Sequence, residues 1–285
     1  MIRREVGNEF LLITQHDHAL LAGHLAERFG NDRFAKPEPR ESVLTAVRLH
    51  DAGWPLHDEQ PTLNRAHLPL DVFETPRPIA LKVWSASAER AAAADPYAGL
   101  LVSLHVLSLS IFATTQQQEK LKQAGKHEVF NVTQLTERFE VNKFQHREVE
   151  RQEQLRRQLG MRTDLPLTHG LAEPHASVED DRLVFGFRLL QAMDLISLCL
   201  CCTEPPADRT QDVLTKPGGR ARHLSLRRDD SGAVGVDPWP FDAAVVEQAI
   251  PVRRVPARTY RNKDELTETM TNAAVEQLSL RVTPS

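Results

Sequence analysis

The chain has 285 residues, 41% of them hydrophobic and 26% charged, with a formal net charge of −4. This is the composition of an ordinary soluble globular protein, long enough for one large domain or a main domain with an appendage. The mild negative charge gives no electrostatic reason to expect nucleic acid or an anionic membrane as partner. No stretch reaches the eighteen or so uninterrupted apolar residues of a bilayer span. The opening MIRREVGNEF lacks the apolar centre of a secretion signal, so a cytoplasmic location is expected.

Residues 1–14 read as a short strand or hairpin whose apolar part is FLLIT. Leu20, Leu21, Leu25 and Phe29 then recur at helical spacing over residues 17–29. KPEPRE is a Pro-punctuated linker, after which Val43, Leu44, Val47 and Leu49 predict a second helix ending at His50-Asp51. Residues 53–80 hold five prolines and no sustained period, which predicts a long irregular loop beside a site, of the kind that forms lids or binding walls. Asp95-Pro96 is a helix-opening pair ahead of the apolar run YAGLLVSLHVLSLSIFA. A charged helix is expected from Asn131 to Gln158, closed by Gly160, with Val132, Leu135, Phe139, His146 and Val149 on one stripe. Residues 180–202 predict a further apolar helix, ending in LISLCLCC. Its Cys199, Cys201 and Cys202 have no second cysteine pair to make a zinc knuckle and read as small buried hydrophobes of a reducing compartment. From about residue 220, HLSLRR, AVGVD, VVEQAIPVRRV and EQLSLRV alternate or carry β-branched residues between turn signals, predicting an antiparallel β-element. Its strands are too few to stand alone and are expected to lie on the helical part, with pairing to the FLLIT strand.

Four residues offer metal-ligand chemistry. His50 and Asp51 are neighbours, so on one helix they diverge by about 100°. Gly53 and Pro55 end the helix there, which lets an imidazole nitrogen and a carboxylate oxygen converge as in a first-row divalent metal site. Asp194 lies in an apolar run, where ionisation is costly unless a cation or several donors compensate. His18 supplies a further imidazole in the first long helix; His16 and His24 stand on other faces of it. His105, mid-helix among leucines and valines, reads as a second-metal ligand, a phosphate contact, a proton donor or a core histidine. Gln15, Trp54 and Gln191 are candidate substrate contacts. Gln191 is one turn before Asp194 on its face, and Trp54 either stacks on a base or ring or packs under its own turn. His57, His67 and His146 are weaker candidates, while His127, His169, His175 and His223 look structural. Glycine-rich phosphate loops and a GxSxG elbow are absent from the sequence.

His18, then His50-Asp51, then Asp194, in QHDHALLAGHLAERF, HDAGW and QAMDLISL, with YAGLLVSLH between, resemble the HD superfamily of metal-dependent phosphohydrolases. The segments are similar to an uncharacterised bacterial family of HD-like proteins, and the likeness covers roughly residues 10–202. The resemblance implies a mainly α fold: an HD-like helical bundle at 1–210, with a short N-terminal strand, and a small antiparallel β-element packed on it at 211–285, α+β overall. It also implies one divalent transition metal (Mn, Fe, Co, Ni or Zn) held by His18, His50, Asp51 and Asp194, with His105 as a fifth ligand. Catalytic roles fall to Asp51 and His105, and the expected activity is hydrolysis of a phosphate ester or nucleotide by metal-activated water. The substrate is then a phosphorylated small molecule, with neither nucleic acid nor membrane as partner. Two other classes fit the same residues: an HD-type di-iron oxygenase, which needs another histidine besides His105, and a non-catalytic HD scaffold acting as a ligand sensor.

Overall fold

The structure is a computed structural model that describes residues 1–123, 132–162, 178–204, 210–229 and 231–285; His127, His169 and His175 lie outside them. In chain order come β1 (Ile2–Val6), β2 (Glu9–Ile13), α1 (Gln15–Arg28), α2 (Arg40–Leu49), α3 (Pro55–Asp58), α4 (Arg77–Ala94), α5 (Pro96–Gln123), α6 (Val132–Gln158) and α7 (Val178–Cys201). Then follow β3 (Thr210–Leu214), β4 (Ala221–Arg228), β5 (Val234–Asp237), β6 (Val246–Pro256), α8 (Lys263–Asn272) and β7 (Val275–Pro284).

The expected helical bundle with a small C-terminal antiparallel β-element is not what forms. Strand makes up 21% of the chain against 51% helix, in a single curled sheet of seven strands that draws on both ends of the sequence. Its order is β1-β2-β6-β7-β5-β4-β3. It is also mixed, because β5 runs parallel to β7 while every other neighbouring pair is antiparallel. The reason lies in β2: FLLI is nearly all buried and needs a partner beyond β1, which β6 supplies with Phe10 opposite Val255. The anticipated pairing of FLLIT with the C-terminal strands is therefore realised. The sheet is no appendage, since Leu224, Val236, Ile250 and Val282 join the same apolar core as the helices.

Helices stack on this sheet in layers. α1 lies on β6 and α7 on β3–β5; α2 and α5 pack over α1 and α7; α4 and α6 pack on α5. Segments of α5 and α7 are apolar enough to cross a bilayer by length and composition, but 67% and 72% of those stretches are buried against protein, as suits central core helices.

Local chemistry sets the ends of the helices that matter. Thr14 caps α1 by accepting from the Asp17 N–H, and Asp95 caps α5 by accepting from the Ala98 N–H at 2.7 Å. The region 53–80 is less irregular than its prolines suggest: it contains α3, a 3-10 turn at Val72–Glu74 and the start of α4. Its middle is tied to β1 through Arg3–Glu74 and to Tyr260 through His67, so it closes over the hairpin. The α6 stripe is also displaced: Phe139 (64% exposed), Val149 and His146 face outward, and the buried face is Val141, Phe144, Glu148, Gln152 and Leu155. That face carries charge and amide groups, so hydrophobic periodicity pointed to the wrong side of the helix.

Candidate metal centre

Four helices each bring one position to a common point between the two inner layers: His18 from α1, the His50-Asp51 turn after α2, His105 from α5 and Asp194 from α7. The turn is clamped from outside. The Gly53 N–H donates to Ser87 Oγ at 2.9 Å, the Arg90 guanidinium donates to the Ala52 carbonyl, and a Cβ on Gly53 would collide with the Val83 carbonyl of α4. Glycine is required there by close approach of two backbones. The tight seat is what aims His50 and Asp51 inward together.

His18 Nε2 is 3.0 Å from Asp194 Oδ1 and 3.9 Å from Asp51 Oδ2. His50 Nε2 is 3.6 Å from Asp51 Oδ2 and 3.5 Å from Asp194 Oδ1. Two ligands on one ion with bonds of about 2.0–2.2 Å stand at most about 4.4 Å apart, and these four histidine–carboxylate separations satisfy that limit. His105 Nε2 approaches the other oxygen, Asp194 Oδ2, at 3.5 Å. Two groups of three donors, His18-His50-Asp51 and His50-His105-Asp194, are each compact enough to hold an ion. The imidazoles are closed off from solvent, whereas the Asp194 side chain is 15% exposed and marks the open side.

Hydrogen bonds around the cluster fix which atoms face it. His50 Nδ1 donates to the Val47 carbonyl at 2.7 Å, leaving Nε2 buried and facing Asp51 Oδ2 and Asp194 Oδ1. Ser197 donates to the Asp194 carbonyl at 2.8 Å and sits 2.9 Å from His18 Nδ1. The Trp54 indole donates to Asp51 Oδ1 at 3.1 Å, turning Oδ2 inward. Both rings thus turn Nε2 toward the two carboxylates; His18 Nε2 is within hydrogen-bond distance of Asp194 Oδ1 at 3.0 Å, and the other inward atoms are short of donors.

The electrostatics register the same imbalance. Burial pulls the His50 pKa down, but Asp51 and Asp194 reverse this and push it up to about 9. Burial would raise Asp194, yet hydrogen bonding to His18 and His50 holds it well below the usual carboxylate range. Burial raises Asp51 and outweighs the pull of His50 and His18. Burial holds His105 down to about 4 against the attraction of Asp194.

The other candidates fall in different places. Trp54 is buried and holds Asp51, so it packs under its own turn and offers no open ring face. Gln15 is buried at the start of α1, its N–H on Asp58 at 2.7 Å and its side-chain Nε2 without a partner. Gln191 is half-buried at the open side, donating to Ser108 of α5 at 3.4 Å and accepting from Arg188 at 3.2 Å. His57 lies against Trp54, His67 is bound to Tyr260, His146 pairs with Glu150 at the surface, and His223 pairs with Asp212 in the sheet. Pro55, Glu59 and Pro61 line a cavity of about 600 Å³ shared with β6 and α8, and none of the five cluster residues lines it. Ser197 went unnoticed in the sequence; its only signal is a lone hydroxyl three residues after Asp194 in an apolar run.

Residues 1–257 match the family described as a protein of unknown function, DUF3891, and the chain belongs to that family. No curated protein and no solved structure matches.

Proposed function

We propose that the cluster binds one divalent transition-metal ion and that the protein hydrolyses a phosphorylated small molecule, a phosphate ester or nucleotide. One observation carries the metal half: four side chains from two helices and a helix-end turn bring histidine nitrogens within 3.0–3.9 Å of carboxylate oxygens, and outer partners hold the far ring nitrogens. Such an arrangement favours a positive charge at its centre, and a cation meets that demand without an extra proton. The order His18, His50-Asp51, Asp194 supports the hydrolase half through its resemblance to HD phosphohydrolases.

In this reading His18, His50, Asp51 and Asp194 hold the ion, which supplies Lewis acidity toward a phosphoryl oxygen and acidifies water. Asp51, through its inward oxygen, orients the attacking water. His105, on the far oxygen of Asp194, stands beside the open edge and steadies the phosphoryl group or passes a proton to the leaving oxygen. Gln191, reaching Ser108 across that edge, is placed to donate to the substrate. The second donor group, His50-His105-Asp194, favours an alternative reading, a two-ion centre of oxygenase type. Elemental analysis of the purified protein, phosphatase assays with Mn²⁺, Co²⁺ or Ni²⁺, and a visible spectrum of iron-loaded protein separate the two. One ion with phosphatase turnover supports the hydrolase; two irons with a visible band support the oxygenase; no bound metal overturns both.

A further inference from the structure

We infer that Ser197 and Trp54 are positioning residues that decide which atoms of His18 and Asp51 face the centre, an inference that rests on the metal reading above for its effect on affinity. A serine hydroxyl has one hydrogen. In Ser197 that hydrogen goes to the Asp194 carbonyl at 2.8 Å, so toward His18 Nδ1, 2.9 Å away, Oγ has only lone pairs to offer. Nδ1 then carries a ring proton, and Nε2, 3.0 Å from Asp194 Oδ1, is the ring atom left to face the centre. A tryptophan indole only donates. By holding Asp51 Oδ1 at 3.1 Å it leaves Oδ2 as the oxygen that faces His18 and His50.

Packing alone does not call for either polar group. Ser197 is completely buried in LISL, where a buried hydroxyl costs stability unless it is bonded, and Trp54 is 2% exposed. The other two imidazoles set the comparison. His50 is oriented by a carbonyl of its own helix, whereas His105 Nδ1 is buried and has no hydrogen-bond partner among the described residues. Side-chain control is thus present at His18 and Asp51 and missing at His105. Outer partners of this kind fix tautomer and ring orientation in metal sites, and removing one typically lowers metal affinity about 10–100-fold.

The test uses the full chain with Ser197→Ala, Ser197→Cys and Trp54→Phe. Long-range proton–nitrogen NMR reads the tautomers of His18 and His50, in zinc-loaded protein and in chelator-treated protein at alkaline pH. Competition titration reads zinc affinity. Wild-type His18 is expected in the Nδ1–H form. In chelator-treated Ser197→Ala protein it shifts toward Nε2–H while His50 stays unchanged. Zinc affinity falls about 10–100-fold in Ser197→Ala and in Trp54→Phe at unchanged saturating stoichiometry, with Ser197→Cys between Ser197→Ala and wild type. Wild-type His18 in the Nε2–H form, or Ser197→Ala protein with wild-type tautomer and affinity, overturns the Ser197 assignment; should the alanine variant fail to fold, the cysteine variant is judged by the same readings. Wild-type zinc affinity in Trp54→Phe overturns the Trp54 assignment. If wild-type protein binds no zinc, the metal reading falls, and with it the Trp54 assignment, while the His18 tautomer in chelator-treated protein still decides for or against Ser197.

Discussion

Ser103 and His105 stand two residues apart on α5, so their side chains leave the helix about 200° apart, and each enters a buried polar cluster. On the Ser103 side the acceptor Glu148, wholly buried, meets donors: Ser103 Oγ at 2.8 Å and Arg151 Nε at 3.1 Å, with Gln152 donating to Ser103 at 3.2 Å. Only Glu148 Oε1 is left over. On the His105 side His18 reaches Asp194 at 3.0 Å, while the bonds that His50, Ser197 and Trp54 make are directed at outer atoms and leave the inner ones short of donors. Both clusters are equally hidden from water, so burial of polar groups does not mark a functional site. The balance of donors and acceptors separates them: one cluster is nearly complete as protein, and the other is the one we propose a cation completes.

The largest change should come from breaking the mismatched cluster at its centre. Asp194→Asn removes one charge and keeps the shape, so metal affinity should fall by more than the roughly 10–100-fold that loss of an outer partner costs. Metal analysis alongside circular dichroism checks it, and a folded variant with full metal content would remove Asp194 from the ligand set. Asp194→Leu is expected to raise the melting temperature of chelator-treated protein, because an apolar side chain replaces a buried charge.

Glu148→Ala attacks the matched cluster and should do the reverse. It is expected to lower stability by about 1–3 kcal/mol, because Ser103 and Arg151 lose their acceptor, and to leave metal content unchanged. Denaturant unfolding measures the first and elemental analysis the second. A large loss of metal would show that the two sides of α5 are not independent. His105→Asn should weaken zinc binding less than Asp194→Asn does, since its one close carboxylate contact is to the outer oxygen of Asp194 at 3.5 Å. Competition titration of both variants ranks them, and an equal loss would make His105 a full ligand. Smallest of all, His146→Ala should stay within about 0.5 kcal/mol of wild type and keep its metal, because that ring is exposed and pairs only with Glu150 among the described residues.

The cluster was largely legible in the sequence because its chemistry is local: a His-Asp pair at a helix end, an aspartate in an apolar run, a histidine one helix earlier. The sheet was legible only in part: pairing of FLLIT with the C-terminal strands was expected, but a single seven-stranded sheet drawn from both ends of the chain was not, because no local pattern records how strands so distant join. The parallel pairing of β5 with β7 was hidden for the same reason, and strand alternation predicted only the antiparallel arrangement. β3 and α8 were missed as elements, and so was α4, alanine-rich and opened by Pro76 and Pro78: its first residues fall within the loop expected at 53–80, and the rest carried no expected element. The inward face of α6 escaped because Glu148 and Gln152 occupy it, and a polarity pattern reads such positions as surface.

The wide spacing of the cluster along the chain bears on the order in which the molecule is made. His18 and Asp194 are 176 residues apart, and they approach only once α1 and α7 have both docked on a sheet whose last strands come still later in the sequence. Contacts of such long separation form late and slowly. A cation therefore has no assembled seat in the growing chain and cannot template the fold. In the metal reading it would enter a finished protein, from which a chelator would remove it and to which it would return without a round of unfolding.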